Sequence, residues 1–487
     1  MKRMFRYASD QSLFLDLAPD ATDLHALFHI PGVVNIHPAY ASILLVFDPL
    51  RTSHDEVQRA AAAIQPPQSK APRPLHQIPI HYDGPDLDSL ARLHNLSPHR
   101  VVELHAAANY TVAFLGFVPG FAYLHGLPAA LATPLPPQRC SRRQPRHRRR
   151  SNRHLPHRHS RRLATHRPHN HRTLQPPQRT HEPPPTRRSR QIHPRMKIVI
   201  DNPGMFTTVQ DLGRPGHGID GVSRSGAADP LALRIANRLL GNNENTPALE
   251  MTLLGGTFTF PQGATIALTG GRLPALPMYR PFEILPGQTI RTGTLETGAR
   301  SYLAVRGGIP AKLVAGSAST HVLSGLGGRP LRKGDVLPIG PSASAPKTNP
   351  VPNSLTTYNT TLRVTAGPQS SSFPANTFYH AEYLVSPDSN RMGLRLDGPA
   401  ILSPNPGQMV TEGVPLGAIQ LPPNGQPILL FVDQQTTGGY PKIANVITAD
   451  IPSIGQLRPG DRVRFQLVSN AEAQRLLRRQ QSLIETL

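Results

Sequence analysis

RCSRRQPRHRRRSNRHLPHRHSRRLATHRPHNHRTLQPPQRTHEPPPTRRSRQIHPR, residues 139–195, separates two parts of this chain and resembles neither. Its 57 residues hold 18 Arg, nine His and nine Pro, with no Lys, no Gly and one acid, Glu182. Of the formal net charge of +22 on 487 residues it supplies +17, leaving only +5 for the other 430. With so little apolar surface to offset the entropy of ordering it, the segment is expected to lack stable structure. As a genuine basic tail it would point to nucleic acid through phosphate neutralisation. Arginine without lysine, the run Arg148, Arg149 and Arg150, and the lack of any aromatic residue to stack on bases argue against that partner.

Arg, His and Pro have CG-rich or C-starting codons, so the stretch also reads as coding sequence translated out of frame. Moved one nucleotide downstream, the degenerate codons of Asn152 to Arg167 (NRHLPHRHSRRLATHR) permit TGIYPIATPGGWQLIG, and Ser151 permits Gln. Ser141 to Arg149 permit PAGSLAIGG, and Arg187 to His193 permit GDRVRFI. Gly, Tyr, Trp and Phe return where a β-rich domain would use them. The segment is therefore read as a frame-shifted join, with the slip near residues 134 to 138 and sensible sequence resuming at Met196.

The flanks of the join carry a resemblance. FLGFVPGFAYL (114–124), then Gly126, Leu127 and Pro128, with the hidden QTGIYP and PGGW, resembles the B subunit of the bacterial ATP-dependent 5-oxoprolinase, also called allophanate hydrolase subunit 1 or KipI-like. TTVQDLGRPG (207–216), SGAADPLALRIANRLLGN (225–242), SNRMGLRLDGP (389–399) and QTTGGYPKIANVI (435–447) resemble the C subunit, the KipA-like or allophanate hydrolase subunit 2 family. The resemblance implies a mainly β protein with an α+β N-terminal domain and cyclophilin-like β-barrels, the first truncated. The expected organisation is a small α+β domain at 1–80, the truncated cyclophilin-like domain at 81–138, the frame-shifted segment at 139–195, and two cyclophilin-like barrels in a region at 196–487 that resembles the C subunit.

Local patterns agree with that division. SILLVFD (42–48) reads as a strand and the Ala-rich run around Glu56 to Ile64 as a helix. Residues 86–108 read as two helices, the second with Ser97 as N-cap and Pro98 at its first position, before a strand at Tyr110 to Phe117. In the second half, short apolar runs at Thr265–Thr269, Tyr302–Val305 and Ile428–Val432 are punctuated by Gly and Pro, and one helix is expected over Pro230–Leu240 between Asp229 and Gly241. GDRVRF (460–465) closes this half with the phrase that the hidden frame offers for the end of the first.

The candidate chemistry lies in loops of the second half. Gln210, Asp211 and Arg214 sit among glycines, where a carboxylate and a guanidinium could orient a polar substrate or phosphate; Asp211 and Arg214 read equally well as a structural turn pair. Asn390, Arg391 and Arg395 form a second polar group, in which Arg395 also reads as a strand-edge cap. Gln434, Gln435, Thr436, Tyr440 and Lys442 surround Gly438 and Gly439, which allow a ligand close to the backbone. We expect Gln210, Asp211, Arg214, Lys442 and Tyr440 to be catalytic, and Asn390, Arg391, Gln434, Gln435 and Thr436 to bind substrate or nucleotide.

No metal site is expected. His94, His99 and His105 lack the glutamate spacing of a zinc protease and read as solvent-exposed helix residues, and the single cysteine, Cys140, lies in the frame-shifted segment. No Gly-Lys dipeptide occurs, which excludes a standard phosphate loop. The first 20 residues lack the apolar stretch of a signal peptide and no run of about 18 apolar residues suggests a membrane span, so a cytoplasmic protein is expected.

The resemblance implies an enzyme that opens a cyclic amide, 5-oxoproline to glutamate, using ATP with Mg and, as partner, the LamB/YcsF-type third subunit of 5-oxoprolinase. Two other readings stay open: a biotin-dependent carboxyltransferase or allophanate hydrolase-type module, though no Ala-Met-Lys-Met biotin-attachment motif is present, and a KipI/KipA-like regulator that binds a sensor kinase.

Overall fold

The structure, a computed structural model, describes residues 3–65, 74–132, 196–342, 344–402 and 409–487. Residues 139–195, and with them the expectations of a shifted frame and of no stable structure, lie outside the described residues. The fold is mainly β with few helices. Two compact units divide it: one holds residues 1–68, 112–123 and 196–487, the other the remainder.

The first unit opens with a four-stranded antiparallel sheet in the spatial order Met4–Ser9, Ser12–Asp16, Ile43–Phe47, Val33–Pro38. One face packs Leu13, Leu15, Ile43, Leu45 and Phe47 against Leu27, Val57 and Ala61 of helices Leu24–Phe28 and His54–Ala63. The second helix starts with a reciprocal capping box between Ser53 and Glu56, a device that stabilises a helix start by roughly 1 kcal/mol. The other face carries Ala8, Phe14 and Leu44, all at 0% exposure. A strand covered on both faces must be apolar at consecutive positions. This is why SILLVF shows no alternation.

Two barrel-like layers follow. In the first, sheets ordered Gln288–Arg291, Thr257–Phe260, Lys197–Asn202, Val336–Pro338 and Pro281–Ile284, Ala264–Gly270, Arg300–Val305, Ala248–Thr252, Thr207–Gln210 enclose Phe258, Phe260, Leu268 and Leu303. Helix Pro230–Leu239 packs Ala232 and Ala236 onto this layer. Asp229 caps it by accepting from Ala232 N at 2.9 Å, and Gly241 leaves it at φ +70°.

The second layer is a closed seven-stranded barrel, ordered Thr361–Ala366, Lys442–Val446, Ala418–Gln420, Ile428–Leu430, Gly393–Asp397, Tyr383–Val385, Arg462–Leu467. Closure leaves no free edge. Its core includes Val364, Phe378, Leu429, Phe431 and Phe465. Helix Asn470–Glu485, capped by Ser469, lays Ala473 and Leu477 on Ile447 and Ala449.

The second unit contains helices Leu87–Leu93 and Pro98–Ala106, which bury Ala91 and Val101 with Leu131. Ser97 Oγ accepts from Arg100 N at 3.2 Å, as its sequence position predicts. His105 corrects the reading as a solvent-exposed helix residue: it is half-buried, its Nδ1 lies 2.7 Å from the Tyr82 hydroxyl, and burial lowers its pKa.

Candidate functional site

The TTGG loop owes its position to three short pieces of chain. Glu412–Gly413 pairs antiparallel with Thr437–Gly438, which sets Glu412 opposite Gly438. Lys442 then starts the next strand and faces Gln420 across the barrel wall, where the register slips between Ile419 and Gln420. Such an irregularity re-aims side chains locally. The loop 116–121 also reaches it: the N–H of Phe117 donates to Thr437 Oγ1 at 3.1 Å.

These pieces gather a charged cluster between the N-terminal sheet and the seven-stranded barrel. Lys442 Nζ donates to Glu412 Oε2 at 2.9 Å, and Gln369 Nε2 donates to the same oxygen at 3.0 Å. Arg6 Nη2 donates to Glu412 Oε1 at 2.8 Å, while its Nε and Nη2 hold Asp16 at 2.7 and 2.6 Å. Phe14 lies beneath both cations, its ring centroid 5.5 Å from Lys442 Nζ and 4.8 Å from Arg6 Cζ. Lys442 is 1% exposed. Burial lowers its pKa despite the pull of Glu412, whereas Lys442 and Arg6 outweigh burial and hold the Glu412 carboxyl below its ordinary value. The proton on Lys442 is therefore easier to release than that of a solvated lysine.

Beside the cluster is a polar cradle. A Cβ on Gly438 would stand 2.8 Å from Gln435 Nε2 and 2.9 Å from Gln420 Nε2. Gln420 is 1% exposed and its amide nitrogen has no hydrogen-bond partner, which in a buried donor costs about 1–3 kcal/mol. Gln435, Gly439 and Tyr440 are half-buried and mark the solvent side. Burial raises the Tyr440 pKa.

The other predicted residues fall in separate places. Gln434 Nε2 donates to Val414 O at 2.9 Å, and Thr436 Oγ1 is buried without a partner. Arg391 sits between the two barrel layers with every guanidinium nitrogen engaged: Nη1 on Glu250 Oε1 at 2.5 Å, Nε on Asp433 Oδ2 at 2.8 Å and Nη2 on Gly226 O at 2.6 Å. Tyr302 donates to Glu250 Oε2 at 2.6 Å. Asn390 is exposed and accepts from Met392 N at 2.8 Å, a turn contact, and Arg395 Nη1 donates to Asp388 O at 2.7 Å beside the strand edge.

Asp211, Gln210 and Arg214 stay together but apart from Lys442. Asp211 accepts from Ser317 Oγ, Ala318 N, Ser319 Oγ and Gly213 N at 2.5–2.8 Å, which ties residues 211–213 to 317–319. Gln210 Nε2 donates to Thr208 Oγ1 and Thr320 O at 2.9 and 3.1 Å. Arg214 is fully buried, donates to Ser319 O, and keeps Nη1 without a partner; burial lowers its pKa.

Sequence reasoning missed Arg6, Glu412, Gln420, Glu250 and Asp433. Asp433 adjoins the predicted loop, but Arg6 is 406 residues from Glu412 and had no local signal. Among the described residues, no group of three His, Cys, Asp or Glu could hold a metal ion, and no helix is long and apolar enough to cross a membrane.

Comparison with known proteins agrees with the bipartite geometry. Residues 220–467 match the carboxyltransferase domain, subdomains A and B, and residues 11–147 match subdomains C and D of the same domain. The chain is 39% identical over 303 residues to the 5-oxoprolinase C subunit of Escherichia coli K12, covering 60% of this chain and 97% of the relative. It is 36% identical over 113 residues to the 5-oxoprolinase B subunit of Escherichia coli O157:H7, covering 22% of this chain and 52%, about half, of that relative. The crystal structure of TTHA0988 aligns with a TM-score of 0.73 at 26% identity, over 95% of this chain and all of that one.

Proposed function

This chain belongs to the carboxyltransferase-domain family, with the C and B subunits of 5-oxoprolinase as its homologues, and on that premise we propose that it is the joined B and C part of a cytoplasmic ATP-dependent 5-oxoprolinase. The observation that carries this reading is Glu412, one carboxylate held at once by Lys442 of the barrel and Arg6 of the N-terminal sheet. A site built from both halves is what a two-subunit component requires.

In this reading the lactam of 5-oxoproline lies against Gly438. Gln420 Nε2, a buried donor without a partner, and Lys442 Nζ stabilise the oxygen on which negative charge develops as water adds to the ring carbonyl. The new C–O bond replaces the ring C–N bond; the departing nitrogen takes a proton from Lys442, whose pKa is lowered by burial, and Lys442 regains one from the added water. Glu412, ionised throughout, orients the ammonium. Gln435 and Tyr440, on the solvent side, position the substrate carboxylate.

The junction does not suit a polyphosphate. Its two cations are already compensated by Glu412 and Asp16, so no step here is routed through ATP. We assign the nucleotide, with Mg, to a site shared with the LamB/YcsF-type third subunit. Arg214, a buried guanidinium with a free Nη1, and Arg391 then serve the two barrels as positioning groups.

The test is release of glutamate and ADP from 5-oxoproline and ATP by the chain mixed with that third subunit. Lys442→Ala should lower the rate by more than about tenfold, the usual effect of removing a donor to a developing oxyanion. Wild-type turnover in Lys442→Ala sinks the assignment. Activity that appears only with a biotin carboxylase partner favours the carboxyltransferase reading, which the family model itself supports.

A further inference from the structure

Two arginines act on Asp433, and only one of them is compensated. Arg391 is held by Asp433 itself and by Glu250. Arg214, 0% exposed, makes no ion pair: its Nε donates to Val314 O at 3.4 Å, its Nη2 donates to Ser319 O, and its Nη1 has no partner. The two acids within electrostatic reach of it, Asp211 and Asp433, are already engaged. Asp211 accepts from Ser317, Ala318, Ser319 and Gly213, and Asp433 accepts from Arg391 and, at 2.7 Å, from Ser225 Oγ. A buried charge without a counter-ion is among the costliest groups a fold can carry. The arrangement calls for an anion.

A second donor stands beside it. His321 is 2% exposed; its Nδ1 lies 2.5 Å from Ser324 Oγ, and its Nε2, beside the Asp433 backbone, makes no hydrogen bond of normal geometry. When Ser324 donates to Nδ1, Nε2 carries the proton and is a donor even in the neutral ring. Both side chains meet the same short loop. His321 N donates to Leu326 O at 2.8 Å, and a Cβ on Gly327 would stand 3.2 Å from Arg214 Nη2. Arg214 also acts directly on the charge of the His321 ring.

That loop is lightly held. Val322 and Leu323 at its tip are 45% and 59% exposed, so little apolar burial opposes its lifting. Gly327, at φ +73°, lets it lie close over the guanidinium: a Cβ there would stand 2.0 Å from Ser319 O.

We infer that Arg214 Nη1 and His321 Nε2 form an oxyanion-binding site beneath the loop 321–328, distinct from the Lys442 cluster, which takes the carboxylate or phosphate group of a small ligand when the loop lifts. A guanidinium and an imidazole N–H are the donors that suit such oxygens. Two of the Arg214 nitrogens position the loops 314–319, and the third faces the ligand. The inference does not depend on the chemistry assigned to Lys442.

Calorimetric titration of the full chain with inorganic phosphate and, separately, with acetate, at fixed ionic strength, tests it. Saturable one-to-one binding of at least one is expected; phosphate alone assigns a phosphoryl ligand and acetate alone a carboxylate. Arg214→Gln should weaken binding by more than about tenfold, the effect of losing a charge-assisted donor. Arg214 also holds the Val314 and Ser319 carbonyls, so His321→Leu, which gives up only the side-chain contact to Ser324, is the variant that keeps the fold, and it should weaken binding by a similar factor. Lys442→Ala should bind as the unaltered chain does. No saturable binding by the folded unaltered chain, unchanged binding in His321→Leu, or binding lost in Lys442→Ala overturns the inference.

Discussion

Glu412 accepts from Lys442 Nζ at 2.9 Å on one oxygen and from Arg6 Nη2 at 2.8 Å on the other. A single half-buried carboxylate thus couples two cations that belong to different parts of the fold. Removing either cation leaves the carboxylate with half its compensation, so the two contributions cannot be independent. In urea unfolding, Lys442→Ala and Arg6→Ala should therefore be non-additive by roughly 1–3 kcal/mol. Strict additivity would mean that Glu412 does not bridge them.

Gly438 tests the cradle. An added Cβ would approach Gln435 and Gln420 amide nitrogens within 3 Å. Both are side-chain ends that can shift, so Gly438→Ala should fold with a stability loss of about 1–3 kcal/mol. Its turnover on 5-oxoproline should fall by at least tenfold, chiefly through KM. Unchanged KM would remove the cradle from the substrate site.

Arg391 separates stability from chemistry. Its guanidinium is shared by Glu250 and Asp433, which are 1% and 8% exposed, so Arg391→Met strands two buried carboxylates and should cost roughly 3–5 kcal/mol in denaturant unfolding. Rate per folded molecule should change less than in Lys442→Ala. A mutant as stable as wild type but inactive would return Arg391 to substrate binding.

Asp10 makes assembly of the two halves pH-dependent. Its Oδ2 accepts from Thr448 N at 2.9 Å, and burial raises its pKa to about 6. The folded state keeps a proton that the unfolded chain releases near pH 4. Stability from this group is fully present below about pH 4 and is lost as the pH rises through about 6, by up to about 3 kcal/mol. Asp10→Asn should flatten this part of the Tm profile and raise Tm at pH 7 relative to wild type. Parallel profiles for the two proteins between pH 4 and 7 would contradict it.

Much of the fold was legible because periodicity and caps are local. SILLVFD became Ile43–Phe47, Asp229 and Gly241 bracketed the helix Pro230–Leu239, and Ser97 capped Pro98–Ala106. The TTGG loop was legible through its glycines and the crowding of polar residues around them. Its counter-ion was not. Glu412 stands in a two-residue strand whose role depends on pairing with Thr437–Gly438, and Arg6 stands in the edge strand Met4–Ser9, where no neighbouring residue marks it out. Long-range electrostatic pairing leaves no periodic trace. Asp211 illustrates the opposite failure: a carboxylate among glycines looks available in sequence, but here its oxygens are taken by Ser317, Ala318 and Ser319.

The N-terminal sheet is finished on one face by its own helices and on the other by the region around Gly413 and Lys442, where Leu44 and Phe14 are met. A cell that made this sheet in excess over the barrel would hold surplus copies with an apolar face in water, a substrate for proteases and a seed for aggregates. Stoichiometry then becomes a requirement of solubility. Carrying sheet and barrel on one chain keeps their supply matched at the ribosome.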